Sequence, residues 1–130
     1  MSGMSDPDAH GDGVVLDDLL NDVAADPAGA LWRLTGAERQ LDANVVRLRP
    51  DATVADHVEP DLDVLVLGIA GEGTLRCDGT AHDLRPGALR LLPRGAQRGV
   101  RAGRDGVVYL TVHRRRPGMT VRPAPPQPGV

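Results

Sequence analysis

Read for its alternation of apolar and polar residues, the chain divides into one stretch of helical period and a long series of short strand-like runs. Val15, Leu16, Leu19, Leu20 and Val23 recur at i, i+3, i+4 and i+7 spacing, with Asp17, Asp18, Asn21 and Asp22 mostly on the opposite face. That spacing predicts a short amphipathic helix within 14–27, ended by Pro27 and Gly29 and packed on the outside of the main domain or on a partner subunit. From Ala30 onward, runs rich in Val and Leu recur, each closed by a turn signal. They are Leu31–Leu34, Leu41–Leu48, Val64–Ala70, Thr74–Cys77, His82–Leu84, Ala88–Leu92, Arg98–Ala102 and Val107–Arg114. Asp78-Gly79 is the strongest turn signal, because a two-residue hairpin of this kind needs positive φ at both central positions. About eight short strands with tight turns and no crossover helix predict an all-β sandwich or barrel.

The two ends have a different character. Residues 1–13 are rich in Gly, Asp and Ser, and 117–130 in Pro, so both are expected to be disordered tails around one domain at 28–116. At 130 residues the chain builds one core. Apolar residues make up 41% and aromatics only 2%, so that core must be aliphatic. All 15 basic residues are Arg, as in a high-GC, bacterial-type coding bias. The net charge of −3 argues against a general nucleic-acid binder. Arg114-Arg115-Arg116 is accordingly read as a solvated strand end facing Asp17, Asp18 and Asp22. No apolar run approaches the roughly 20 residues that span a bilayer, and no signal peptide precedes the helix, so a soluble cytoplasmic protein without membrane contact is expected. A single Cys77 leaves no internal disulfide to form.

The Gly and Pro spacing adds a more specific reading. Pro50-Asp51-Ala52-Thr53, His57-Val58-Glu59, Gly71-Glu72-Gly73, Asp78-Gly79, Leu84-Arg85-Pro86-Gly87 and Leu92-Pro93-Arg94-Gly95 follow one another in an order that resembles a small single-domain cupin. The resemblance covers roughly residues 40 to 113. It implies a cupin-type double-stranded β-helix barrel (a jelly-roll), with the short amphipathic helix at its N-terminus. It also implies a metal held by three histidines and a glutamate. Carried over position by position, the first histidine is His57, the second falls on Glu59, the glutamate on Asp63 and the last histidine on Arg98. Residues two apart on a strand share a face, so His57 and Glu59 point the same way. Asp63 shares parity with Leu65, Leu67 and Ile69, expected to line the barrel, and Arg98 with Val100 and Ala102.

This altered set supports three chemistries. His57, Glu59 and Asp63 are an acceptable ligand set for Fe, Mn, Ni or Zn, which with Arg98 clamping a substrate carboxylate would suit a dioxygenase- or isomerase-type enzyme. Arginine has no lone pair to give a metal. In the second chemistry it replaces the metal and bridges Glu59 and Asp63 through bidentate pairs. The polar interior, His57, Glu59, Asp63 and Arg98, then binds a small anionic or polyhydroxylated ligand without any cofactor. In the third, the Arg98–carboxylate pair fills the barrel of a structural or regulatory module. The metal-free ligand pocket is the leading expectation, and enzyme activity is left open. The resemblance and an exposed edge strand point to a homodimer. Of the remaining residues, His113 is a substitute ligand only if its parity faces inward, and His82 is expected to be exposed. Cys77 is placed on an outer strand without a nearby histidine. Trp32 is read as a core or dimer-interface anchor and Tyr109 as core.

Overall fold

The computed structural model describes residues 10–22 and 28–116. The expected tails at 1–9 and 117–130, and the end of the helical stretch at 23–27, lie outside the described residues. The elements run β1 (His10–Gly11), α1 (Leu16–Asp22), β2 (Gly29–Leu34), β3 (Leu41–Leu48), β4 (Thr53–Val58), β5 (Val64–Cys77), β6 (Thr80–Leu84), β7 (Leu89–Leu92) and β8 (Gln97–Arg114). Two residues expected in the N-terminal tail are therefore a strand: His10 and Gly11 pair in parallel with Arg33 and Leu34 of β2.

Two long strands, β5 and β8, hold the architecture together. The sequence predicts each as two strands divided by a Gly-rich turn, and each is continuous. The glycines mark a shared bend. Pairing passes through it, from Gly71 against Val107 to Gly73 against Ala102, with a shift of register. Gly71 and Gly106 have φ of 68° and 80° there, and a Cβ on Gly71 would run into the Gly106 carbonyl. The bend lets both strands serve two halves of one wall. The first half of β5 lies between β7 and the second half of β8, which continues to β3, β2 and β1; the second half of β5 lies between β6 and the first half of β8, which continues to β4. The β5–β6 hairpin turns at Asp78-Gly79 with φ of 49° and 83°, the two positive values its sequence requires.

The main core is enclosed between these halves. Val46, Val66 and Tyr109 from one meet Val54, Leu75, Leu84 and Val100 from the other, all buried. A second cluster lies on the outer face, where Trp32, Val45 and Val108 are covered by Leu16, Leu19 and Leu20 of α1. The helix thus packs outside the barrel, as its periodicity predicts. The facing of β5 is opposite to the sequence expectation. Val64 and Val66 point inward, whereas Leu65, 40% exposed, lies on the outside and Ile69 joins the second cluster. Both faces of this strand are apolar, so alternation alone does not identify the inner one. Outside, Leu65 and Leu67 pair with Leu91 and Leu89 of the short strand β7. Leu89 and Leu91 are largely exposed.

Candidate functional site

The register gathers the altered motif at one end of the barrel. There β4 ends at Val58, β5 begins at Val64, β7 ends at Leu92, β8 begins at Gln97 and later ends at Arg114. The loop 59–63 and the turn 93–96 therefore close the same mouth, beside the 37–40 turn that precedes β3. Immediately beneath them, Arg98 pairs with His57 of β4 on one side and with Cys77 of β5 on the other. Paired residues of adjacent strands share a face, so these three side chains form one row on the inner wall. His57 and Cys77 are half-buried and Arg98 is wholly buried. Cys77 is thus not on an outer strand without a nearby histidine, as its sequence position suggests; it packs against the main core, one strand removed from His57 across Arg98.

Arg98 does not bridge the two carboxylates. Its Nε donates to the Ala96 carbonyl at 3.0 Å, and its Nη2 to the Pro93 carbonyl at 2.7 Å and the Leu92 carbonyl at 3.4 Å. Its Nη1 is buried with no partner among the described residues. The guanidinium thus grips the 93–96 turn from inside. The expected carboxylate partners are engaged elsewhere. Glu59 lies one residue beyond the end of β4, where its carboxylate meets Arg116 and also accepts the Asp61 N–H at 2.9 Å. Asp63 is exposed in the loop before β5 and accepts the Arg94 N–H at 2.8 Å. The reason is local. Asp63 precedes an inward-facing Val64, so its own side chain leaves the barrel.

Three comparisons bear on the fold. Neither a family model nor a curated protein matches the sequence. Solved structures do match. The protein TT1209 from Thermus thermophilus superposes with a TM-score of 0.65 at 23% identity, over 82% of this chain and 99% of that one. The Cnp3 cupin domain of Schizosaccharomyces pombe gives 0.58 at 16% identity, over 65% of this chain and 59% of that one. A sugar phosphate isomerase from a cupin superfamily, from Silicibacter pomeroyi, gives 0.57 at 27% identity, over 63% and 55%. The fold is that of a small cupin. This chain spans less than two thirds of the length of the second and third of those structures.

The cupin resemblance implies a metal, and the residues present do not fit one. Among the described residues no group of three or more His, Cys, Asp or Glu side chains converges on a point that could hold an ion. Glu59 is drawn to Arg116, Asp63 is turned outward, and the guanidinium of Arg98 fills the place of the fourth ligand. A cation at that place repels a divalent ion across a low-dielectric interior. His113 follows Tyr109 and Thr111, both buried, at intervals of two, so its parity faces inward. It is half-buried and its Nδ1 lies 2.8 Å from the Arg114 carbonyl. His82 is half-buried opposite Leu75 rather than exposed. Sequence reasoning missed Arg116, whose run it assigns to the acidic face of the helix. It also missed the carbonyls of 92–96, which carry no side-chain signal at all.

Tyr109, read as core, is core. Its hydroxyl is buried without a partner among the described residues, and burial pushes the phenol well above its ordinary value near 10. The folded state then keeps a proton that the unfolded chain releases. The stability linked to this group is fully present below pH 10 and is lost progressively above it, at up to about 1.4 kcal/mol per pH unit. Denaturant titrations between pH 9 and 11 should show that loss in the native protein and not in Tyr109→Phe. Equal slopes in both proteins would mean the phenol is not held neutral.

Proposed function

We propose that this chain is a metal-independent, small-molecule-binding cupin whose inner site takes a small anion or an anionic polyhydroxylated compound. The observation that carries this reading is the state of Arg98. Its guanidinium is wholly buried, and among the described residues its bonds go only to backbone carbonyls and one nitrogen is left without an acceptor. Arginine remains charged in proteins. A buried charge with no counter-charge costs several kcal/mol, and a buried donor without an acceptor adds its own penalty. An anion on Nη1 removes both costs at once. The pairing of His57 with Arg98 across β4 and β8 supports a second polar contact from His57 to the same ligand. A sugar phosphate, the substrate class named for the Silicibacter pomeroyi structure, is both anionic and polyhydroxylated.

Thermal unfolding with inorganic phosphate, glucose 6-phosphate, gluconate and glucose tests the proposal. A ligand at about a hundred times its dissociation constant stabilises by about 2.7 kcal/mol, a rise of several degrees for a domain of this size. At least one of the anions should produce it and glucose should not. If no anion raises the melting temperature, Arg98 is a structural filling and the barrel belongs to a non-catalytic module. Stoichiometric iron, manganese, nickel or zinc in protein purified without chelator would overturn the metal-independent reading and favour the enzyme alternative.

A further inference from the structure

The three arginines that end the described chain do not face the helix, where charge alone would place them. Arg115 is tied to the 37–40 turn, and Arg114 and Arg116 reach the 59–63 loop. The Arg115 guanidinium donates to the Ala37 carbonyl at 2.8 Å and the Arg39 carbonyl at 3.4 Å, while its backbone N–H donates to the Gln40 carbonyl at 2.9 Å. These contacts fix the end of the strand to the 37–40 turn. Its two neighbours point to the other side. Arg114 donates to the Asp61 carbonyl at 3.4 Å, and Arg116 pairs with the Glu59 carboxylate, its Nη1 lying 3.8 Å from Asp61. The loop 59–63 is held on its far side by the 93–96 turn, where the Gly95 N–H donates to the Glu59 carbonyl and the Arg94 N–H to Asp63, both at 2.8 Å. That turn is the one Arg98 grips from within.

From inside outward the mouth therefore consists of Arg98, the 93–96 turn, the 59–63 loop and the terminal arginines. Leu62, 3% exposed, and Ala96, 5% exposed, are the buried apolar residues of the two covering segments. Arg98 is wholly buried and its Nη1 is closed off from solvent, so a ligand reaches it only after a covering segment moves. The bonds from turn to loop are uncharged at one end, whereas the Arg116–Glu59 contact is an ion pair, with Arg116 43% exposed and Glu59 17%. A pair of that exposure is open to screening by salt.

We infer that Arg116 is a latch. Paired with Glu59, it holds the 59–63 loop closed over the inner site and sets the rate at which ligands enter and leave. Arg116 is a positioning residue here and touches no ligand. The inference about rates rests on the anion-site reading, but the closure of the loop does not.

Hydrogen exchange of the full chain, native and Arg116→Gln, tests the closure without any ligand. The amides of Asp61, Arg94 and Gly95 are expected to exchange at least fivefold faster in Arg116→Gln, while those of Val66 and Val100 in the core stay unchanged. Raising the NaCl concentration should speed the same three amides in the native protein and not in the variant. Equal protection in both proteins overturns the latch whether or not an anion binds. Stopped-flow binding of inorganic phosphate tests the consequence. The association and dissociation rates should rise together in Arg116→Gln with the dissociation constant unchanged. A weaker constant carried by dissociation alone would make Arg116 a ligand contact and overturn the positioning role. Failure of phosphate to bind either protein, with exchange altered as expected, would sink the anion reading and leave the closure standing.

Discussion

Arg98→Met is expected to lower the unfolding free energy by about 3 kcal/mol, and Arg98→Lys by at least as much. Two effects oppose each other at this position. Removing the guanidinium relieves the cost of a charge that is wholly buried and, among the described residues, bonded to carbonyls rather than to a carboxylate. It also strips the donors from the Ala96, Pro93 and Leu92 carbonyls. Hydrogen bonds from charged groups contribute about 1.5–3 kcal/mol each, and a buried acceptor left bare costs about 1–3. The bonds to Ala96 and Leu92 are buried and the one to Pro93 is partly so, hence the carbonyl loss outweighs the relief. Lysine separates the terms, because it keeps the charge and its cost but lacks the fork that reaches several carbonyls at once. Urea midpoints with unchanged slopes measure both variants. A lysine variant as stable as the native protein would show that charge alone, and not the grip on the 93–96 turn, is what the position requires.

This outcome differs in mechanism from the one the sequence suggests, and the difference shows what a linear pattern carries. His57 and Arg98 were legible as neighbours on the inner wall, since strand parity and turn spacing both place them there, and the register pairs them directly. Glu59 and Asp63 were not. Each stands outside a strand, one past the end of β4 and the other before the start of β5, where alternation of facing no longer applies. What claims Glu59 is Arg116, fifty-seven residues away, and no local period announces such a contact. The architecture followed the same division. Turn residues marked the strands, including the Asp78-Gly79 hairpin, but glycines at 71, 73, 103 and 106 have the same look in a turn and in a bend of a continuous strand. The strand over Thr53–Val58 was absent from the apolar runs because Val54 alone of its residues is buried in the core. Its existence depends on pairing with β8, which is a property of the fold.

Trp32→Ala is the second substitution expected to have a large effect, a loss of about 3–5 kcal/mol. Trp32 is 6% exposed at the centre of the outer cluster, with Val45 and Val108 beneath it and Leu16, Leu19 and Leu20 of α1 packed against the group. Seven described residues form that helix, too few to persist in water by themselves. Its helicity is therefore a consequence of packing, and a cavity in place of the indole removes the surface that stabilises it. The Leu19 N–H, bonded to the Val15 carbonyl at 3.0 Å, should then exchange in Trp32→Ala nearly as fast as in an unfolded peptide. Trp32→Phe separates the loss of size from the loss of the indole N–H. The indole Nε1 is buried without a partner among the described residues, so phenylalanine gives up some contact area but also removes an unsatisfied donor. The two changes oppose each other, and stability within about 1 kcal/mol of the native value is expected. A loss in Trp32→Phe as large as in Trp32→Ala would mean that the indole N–H has an acceptor in solution, and the outer cluster would then be held by a polar contact as well as by its apolar area.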